Sequence, residues 1–194
     1  MMLGGMTIAV LALQGAFAEH QQMLASIGVE SVLIRNLDDW TAYLAQHPAT
    51  ERGLIIPGGE STSMTKIMAD ESLTEPLREA IAGGLPTFGT CAGMIMLDDV
   101  HLGVMDITVL RNAYGRQLGS FYAEHEVRGL GVVPMTFIRA PYVERAGRGV
   151  EVLSVLNGHI VAARQQHMLV CSFHPELNAD VRIHRYFVEQ ICGQ

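Results

Sequence analysis

Cysteine is scarce in this chain. There are three, an odd number with no Cys-x-x-Cys spacing. That argues against a disulfide scaffold and for a reducing, cytoplasmic setting. Charge is scarce as well, at 17% of residues, and the net charge is −7. With no basic run and no aromatic–basic interleaving, nucleic acid is not an expected partner. The eight histidines form no His-x-His or His-x-x-x-His pair, so no metal is expected. There is no Gly-x-Gly-x-x-Gly or Walker loop, and no cofactor is expected, neither dinucleotide nor ATP. The apolar run Ile8 to Leu13 is far short of the about 20 residues that cross a bilayer, so no membrane is expected either. The first six residues lack a basic region and a cleavage site, which argues against a secretory signal. No repeat, low-complexity segment or linker is visible. Residues 1–194 are expected to form one domain.

What is present is enough apolar sequence for a sizeable core: 49% of residues are hydrophobic. Met6 to Leu13 is almost wholly apolar and reads as a strand buried on both faces. A helix is expected from about Ala18 to Ser26, a strand over Val29–Arg35 and a helix over Leu37–Gln46. Arg52–Pro57 reads as a third strand, followed by helical sequence to Gly83-Gly84 and a fourth strand over Leu85–Gly89. Strand and helix alternate, so the first half reads as a three-layer α/β fold on a mostly parallel sheet. The second half reads as strands with few helices: Ile107–Leu110, Phe121–Val127, Val132–Ala140, Val150–Leu156, His159–Arg164 and His167–Phe173. Asn157-Gly158 between two of them signals a hairpin. An antiparallel or mixed extension of the sheet is expected, then a last helix over about Ala179–Cys192.

The chemistry centres on Gly89-Thr90-Cys91-Ala92-Gly93. This is the cysteine form of the Gly-x-Ser-x-Gly nucleophile elbow, a sharp strand-to-helix turn whose neighbours must be small. A helix starting at the cysteine turns its positive end and free N–H groups toward the sulfur. Read alone, the segment also fits a buried cysteine in a glycine-rich turn. A thiol nucleophile needs a base, and the base needs an orienting group. His174-Pro175-Glu176 follows the last strand and can supply both, although alone it also fits a strand-ending turn. Pro57-Gly58-Gly59-Glu60-Ser61 ends another strand. Its backbone N–H groups can join that of Ala92 in an oxyanion hole, and Ser61 or Ser63 can cap the next helix. Crevices in open α/β sheets lie at the carboxyl ends of strands, where all three segments sit.

With those elements together, the chain resembles the triad (class I) glutamine amidotransferase family. The resemblance is strongest to its glutaminase subunits that serve pyridoxal 5′-phosphate synthases. It rests on Leu11–Gly15, Pro57–Thr62, Phe88–Gly93, His101–Asp106, Arg111–Gln117, Phe137–Pro141 and Cys171–Glu176, in order along nearly the whole chain. The resemblance implies a Cys91, His174 and Glu176 triad that hydrolyses L-glutamine, with Gly59, Glu60, Ser61, Arg111, Ile138 and Arg139 contacting the substrate. Gly59 and Ala92 are implied as the oxyanion hole, and Gln14 as a residue coupled to the partner. The implied partner is a separate (β/α)₈-barrel synthase subunit that receives the ammonia. Two connections look shorter than in the family: Asp98-Asp99-Val100 and Arg128–Gly131.

Competing readings are a glutaminase for another synthase, a peptidase-like cysteine hydrolase on the same fold, and a silent regulatory subunit. The Gly-Gly-Glu-Ser and Phe-Ile-Arg-Ala-Pro segments weigh against the peptidase, and the intact Cys, His and Glu against the silent subunit. The histidines other than His174 (His20, His47, His101, His125, His159, His167 and His184) are expected in surface or structural roles. Cys171 is expected to be inert core.

Overall fold

A computed structural model describes residues 4–111 and 120–194. The order is β1 (Thr7–Leu11), α1 (Phe17–Ser26), β2 (Glu30–Ile34), α2 (Leu37–Gln46), β3 (Arg52–Ile56), α3 (Ser61–Asp70), α4 (Thr74–Ala82), β4 (Thr87–Thr90) and α5 (Ala92–Leu97). Then come β5 (Ile107–Leu110), β6 (Ser120–Val127), β7 (Gly131–Ile138), β8 (Tyr142–Ala146), β9 (Glu151–Leu156), β10 (His159–Gln165), β11 (Met168–Cys171) and α6 (Arg182–Tyr186). A π-helical segment, Phe187–Cys192, continues α6.

The main sheet runs β2-β1-β3-β4-β11-β10-β8-β5, with β9 paired to β10. From β2 to β11 every neighbour is parallel. From β11 to β5 the pairs are antiparallel. The continuous apolar runs explain the centre: β1, β4 and β11 are buried at every position. Side chains alternate between the two faces of a strand, so each run feeds two cores. Ala9, Leu11, Leu54, Ile56 and Val170 join one, covered by α2, α3, α4 and α5. Ile8, Val10, Ile55, Phe88 and Leu169 join the other, covered by α1, the β6–β7 hairpin and the C-terminal helical segment. The result is three layers. The Tyr43 hydroxyl, 2.6 Å from Thr7 O and 3.1 Å from Gly53 N, ties the amino ends of β1 and β3 to α2.

Several details differ from the sequence expectation. The helical stretch after Gly59 is two helices, broken at Ser72, where φ is +57°. β6 and β7 form their own two-stranded sheet and do not extend the main one. Their alternating pattern specifies a half-buried ribbon but not which surface it covers. Its apolar side, Val127, Val133, Met135 and Phe137, lies in the second core. β8 was not anticipated, because Tyr142–Ala146 has one buried residue and no alternation. It is a strand because β5 and β10 pair with it. The last helix starts later than expected, at Arg182, whose N–H donates to Asp180 Oδ1 at 2.9 Å. The Asn157-Gly158 hairpin forms as expected, with φ of +52° and +81°. In the short connection after α5, Asp98 Oδ1 accepts the N–H groups of Val100 and His101 at 3.1 and 2.9 Å. Among the described residues no helix is long and apolar enough to cross a membrane.

Phe187 is fully buried, with its ring centroid 5.5 Å from that of Phe88 on β4. It is the anchor of the C-terminal segment on the sheet. Phe187→Ala is expected to cost about 3–5 kcal/mol of stability, read by denaturant unfolding.

Candidate active site

Cys91 closes β4 and opens α5, and its backbone is strained, with φ +52° and ψ −109°. Such a conformation costs a non-glycine residue about 1–3 kcal/mol and persists only when the surroundings impose it. Here they do. The Cys91 N–H donates to the Cys171 carbonyl at 2.8 Å, so the elbow is pinned to the end of β11. A Cβ on Gly93 would lie 1.9 Å from Ile56 O, and one on Gly89 would lie 2.5 Å from Gly93 O. Both flanking glycines are therefore required by close approach of backbone to backbone. α5, buried at all six positions, packs against β3 and β4 and holds the turn from behind.

His174 and Glu176 follow β11. The His174 N–H donates to Thr136 O at 2.8 Å, which fixes the residue against the hairpin. His174 Nδ1 lies 2.6 Å from Glu176 Oε1, and both residues are buried. The His174 ring and Cys91 meet over Gly58, since a Cβ there would touch both, and both line one cleft. Burial favours the neutral His174 ring, but hydrogen bonds to Cys91 and Glu176 and their charge outweigh it and push its pKa up to about 10. The ring thus holds its proton at neutral pH. The Cys91 Sγ also sits 3.9 Å from Ile138 O.

Beside this pair lies a cleft of about 520 Å³ at the carboxyl ends of β1, β3 and β4. Gln14, Gly59, Glu60, Ser61, Cys91, Ala92, Arg111, Ile138, Arg139 and His174 all line it. Glu176 stands behind His174 and does not line it. The glycine loop is held by neighbours on both sides. Ala16 N–H donates to Gly58 O at 3.2 Å, and Glu60 N–H donates to Gln14 Oε1 at 2.5 Å. Gln14 is thus the clamp of the loop that carries Gly59. The Glu60 carboxylate caps α3, accepting from Ser63 N at 2.7 Å and Thr62 N at 3.1 Å. Those bonds hold its pKa down at about 2. Arg111 lies 3.7 Å from Glu60 Oε1 and donates to Thr62 Oγ1 at 3.2 Å. Arg139, which also lines the cleft, has a positive φ of +44°. The cleft therefore offers two guanidinium groups, one carboxylate and a glycine backbone around a cysteine. The Asn112–Gln117 part of the sequence motif lies outside the described residues.

Two histidines that the sequence analysis expects in surface or structural roles stand buried behind the site. His20 on α1 is fully buried, with Nε2 3.5 Å from Glu176 Oε2 and 3.2 Å from Thr90 Oγ1. His184 on α6, also fully buried, has Nε2 2.8 Å from His20 Nδ1. Two histidines on inward faces of distant helices were the available signal, but helical spacing alone does not say what they face. Among the described residues no group of three or more His, Cys, Asp or Glu side chains could hold a metal ion. All three cysteines are free and buried.

A model of the SNO glutamine amidotransferase family matches residues 10–193. The chain is 56% identical over 190 residues to "Pyridoxal 5′-phosphate synthase subunit PdxT" of Streptococcus pneumoniae serotype 2, spanning 94% of this chain and 96% of that one. The PdxT of S. pneumoniae strain JJA matches with the same figures, 56% over 190 residues, 94% and 96%. A crystal structure of a glutamine amidotransferase superposes with a TM-score of 0.85 at 41% identity, spanning 96% of this chain and 99% of that one. A chain of PurLQS from Thermotoga maritima, at TM-score 0.63, 16% identity and 97% of both chains, shares the fold alone.

Two tests follow from the geometry. A Cβ on Gly58 would lie 2.4 Å from His174 Cε1 and 3.3 Å from Cys91 Cβ. Gly58→Ala should therefore displace the ring and lower turnover by roughly a hundredfold or more while the chain still folds, read by steady-state kinetics beside circular dichroism. In an NMR pH titration, the His174 ring should stay protonated through neutral pH and lose its proton near pH 10. Cys91→Ala removes one of the bonds that raise this value, so the transition should move to lower pH.

Proposed function

The chain belongs to the SNO glutamine amidotransferase family, and on that premise we propose how its cleft works. It is a glutaminase: it hydrolyses L-glutamine to L-glutamate and ammonia, and the ammonia supplies vitamin B6 synthesis. One observation carries the mechanism. A cysteine on a strained strand-to-helix turn and a histidine backed by a buried glutamate line one cleft of about 520 Å³, large enough for an amino acid.

In this reading Cys91 is the nucleophile. Its thiolate attacks the side-chain amide carbon of glutamine, and the charge that develops on oxygen is met by the N–H groups of Gly59 and Ala92. His174, protonated and held by Glu176, gives its Nε2 proton to the departing nitrogen, which leaves as ammonia. The product is a glutamyl thioester on Cys91. His174, now neutral, takes a proton from water, which attacks the thioester and releases glutamate. Substrate orientation falls to Glu60, Ser61, Ile138 and the two arginines. An amino acid presents a carboxylate that a guanidinium grips in bidentate fashion and an ammonium that needs acceptors. Arg139 is the better placed of the two, because Arg111 is already engaged by Glu60 and Thr62.

The whole chain acts as one amidotransferase domain in this reading. Its partner is a (β/α)₈-barrel synthase subunit, and Gln14 couples the two. A clamp on the Gly58–Glu60 loop is where docking of another subunit could change the oxyanion hole. Cys91→Ala should lower glutamine hydrolysis by roughly a millionfold, to background, with the fold and partner binding retained. The check is a glutamate-release assay with and without the barrel subunit. Substantial turnover by the variant would refute the nucleophile, and turnover that only another synthase stimulates would refute the partner.

A further inference from the structure

We propose that His20 is a positioning residue for the reaction: its Nε2–H is aimed at Glu176 Oε2, and His184 sets the tautomer that makes this possible. The inference rests on the Cys91–His174–Glu176 reading given above.

Glu176 is fully buried at its side chain. Its Oε1 has a partner in His174, but its Oε2 has no hydrogen bond among the described residues. A buried carboxylate oxygen without a donor is costly. His20 Nε2 lies 3.5 Å from Oε2, and the other titratable groups facing the carboxylate are His174 and Cys171, whose thiol is pushed up first by burial and then by the Glu176 charge. The His20 contact is long for a resting hydrogen bond, and Thr90 Oγ1, 3.2 Å from the same nitrogen, shares it. Bonds of this kind tighten when substrate loads a site.

Which nitrogen of His20 carries the proton follows from its environment. His20 faces Thr90 and Phe88 of β4, His184 of α6, and the Glu176 and His174 side chains. Burial, then His184, then His174 push the His20 pKa well down, and burial pushes that of His184 down to about 3. Both rings are therefore neutral at working pH, and across their 2.8 Å contact one nitrogen donates and the other accepts. If His20 Nδ1 donated, two penalties would follow. The His20 Nε2 lone pair would face the Glu176 carboxylate, and His184 Nδ1 would be an N–H buried without a partner. If His184 Nε2 donates, both vanish. His184 Nδ1 is then a bare acceptor, and His20 Nε2–H points at Thr90 and Glu176. The column from the C-terminal helix through α1 to the carboxylate is thus a line of N–H dipoles running one way. It keeps the Glu176 carboxylate oriented, and Glu176 in turn holds His174.

The test compares two variants in the glutaminase assay with the synthase subunit present. His20→Leu removes the donor. His20→Gln keeps an N–H near the Nε2 position. His20→Leu should lower kcat by roughly ten- to a hundredfold with KM for glutamine little changed. Losing the donor leaves the buried carboxylate oxygen wholly without a partner, so the acid limb of the kcat–pH profile should move to higher pH. His20→Gln should restore most of both. An unchanged pH limb in His20→Leu, or no rescue by Gln, overturns the proposal, because a merely structural role lowers active protein without moving the limb. The wild-type chain provides a readout that needs neither folding of a variant nor activity. Side-chain ¹⁵N NMR should show His20 protonated at Nε2 and bare at Nδ1, and the opposite tautomer overturns the proposal. If wild-type protein hydrolyses no glutamine, the functional reading has failed, while the tautomer still reports on the column.

Discussion

Parallel pairing of β4 with β11 is the constraint on which the site depends. The register sets Thr90 beside Cys171, and the next amide, that of Cys91, closes on the Cys171 carbonyl at 2.8 Å. Two segments 83 positions apart by number, Cys91 and His174, therefore leave the sheet at the same edge. β3 ends beside them and brings the Gly58-Gly59 loop. Antiparallel pairing of any one of these strands would send its loop to the far end of the sheet. Ligand crevices form at this edge of open α/β sheets for that reason.

Close packing then turns proximity into geometry. The glycines near Cys91 are set by what presses on them: Gly93 against Ile56 O, Gly89 against Gly93 O, and Gly58 against the His174 ring. The elbow conformation at Cys91 is affordable because α5 and β3 leave it nowhere else to go. The same economy governs charge. The His174–Glu176 pair is buried together, so each group is stabilised by the other and would be costly alone. The exposed pairs elsewhere, such as Lys66–Asp70 on α3, contribute little by comparison.

The polar column behind Glu176 links the site to elements that have no part in the cleft. α1 delivers His20 and α6 delivers His184, and Phe88 and Phe187 pack the apolar flank of the same layer. The C-terminal segment, which would read as a peripheral cover, is thus in contact with the support of the site. On the opposite side, Gln14 does similar service for the glycine loop. The site is framed by one buried clamp and one half-buried one.

Much of the fold was legible in the sequence. Unbroken apolar runs such as Ile8–Leu11 and Leu54–Ile56 announce strands covered on both faces, and strand–helix alternation announces parallel pairing. Helix α2 was readable to its ends, since Asn36 caps it and accepts the Asp39 N–H at 2.9 Å. The residues expected at the cleft carry local signatures: glycines around a cysteine, His-Pro-Glu after a strand, Gly-Gly-Glu-Ser before a helix. What the sequence could not carry was partnership at a distance. β8 has no pattern of its own, and the β6–β7 ribbon is equally compatible with the main sheet or a separate one. His20 and His184 look like any inward-facing histidines until the fold sets them 2.8 Å apart and one of them 3.5 Å from Glu176. Local chemistry is written in neighbouring residues, because turns, caps and apolar periodicity act over a few positions. The direction of a buried hydrogen bond is decided only by tertiary structure, because it depends on which groups the whole chain has removed from water together.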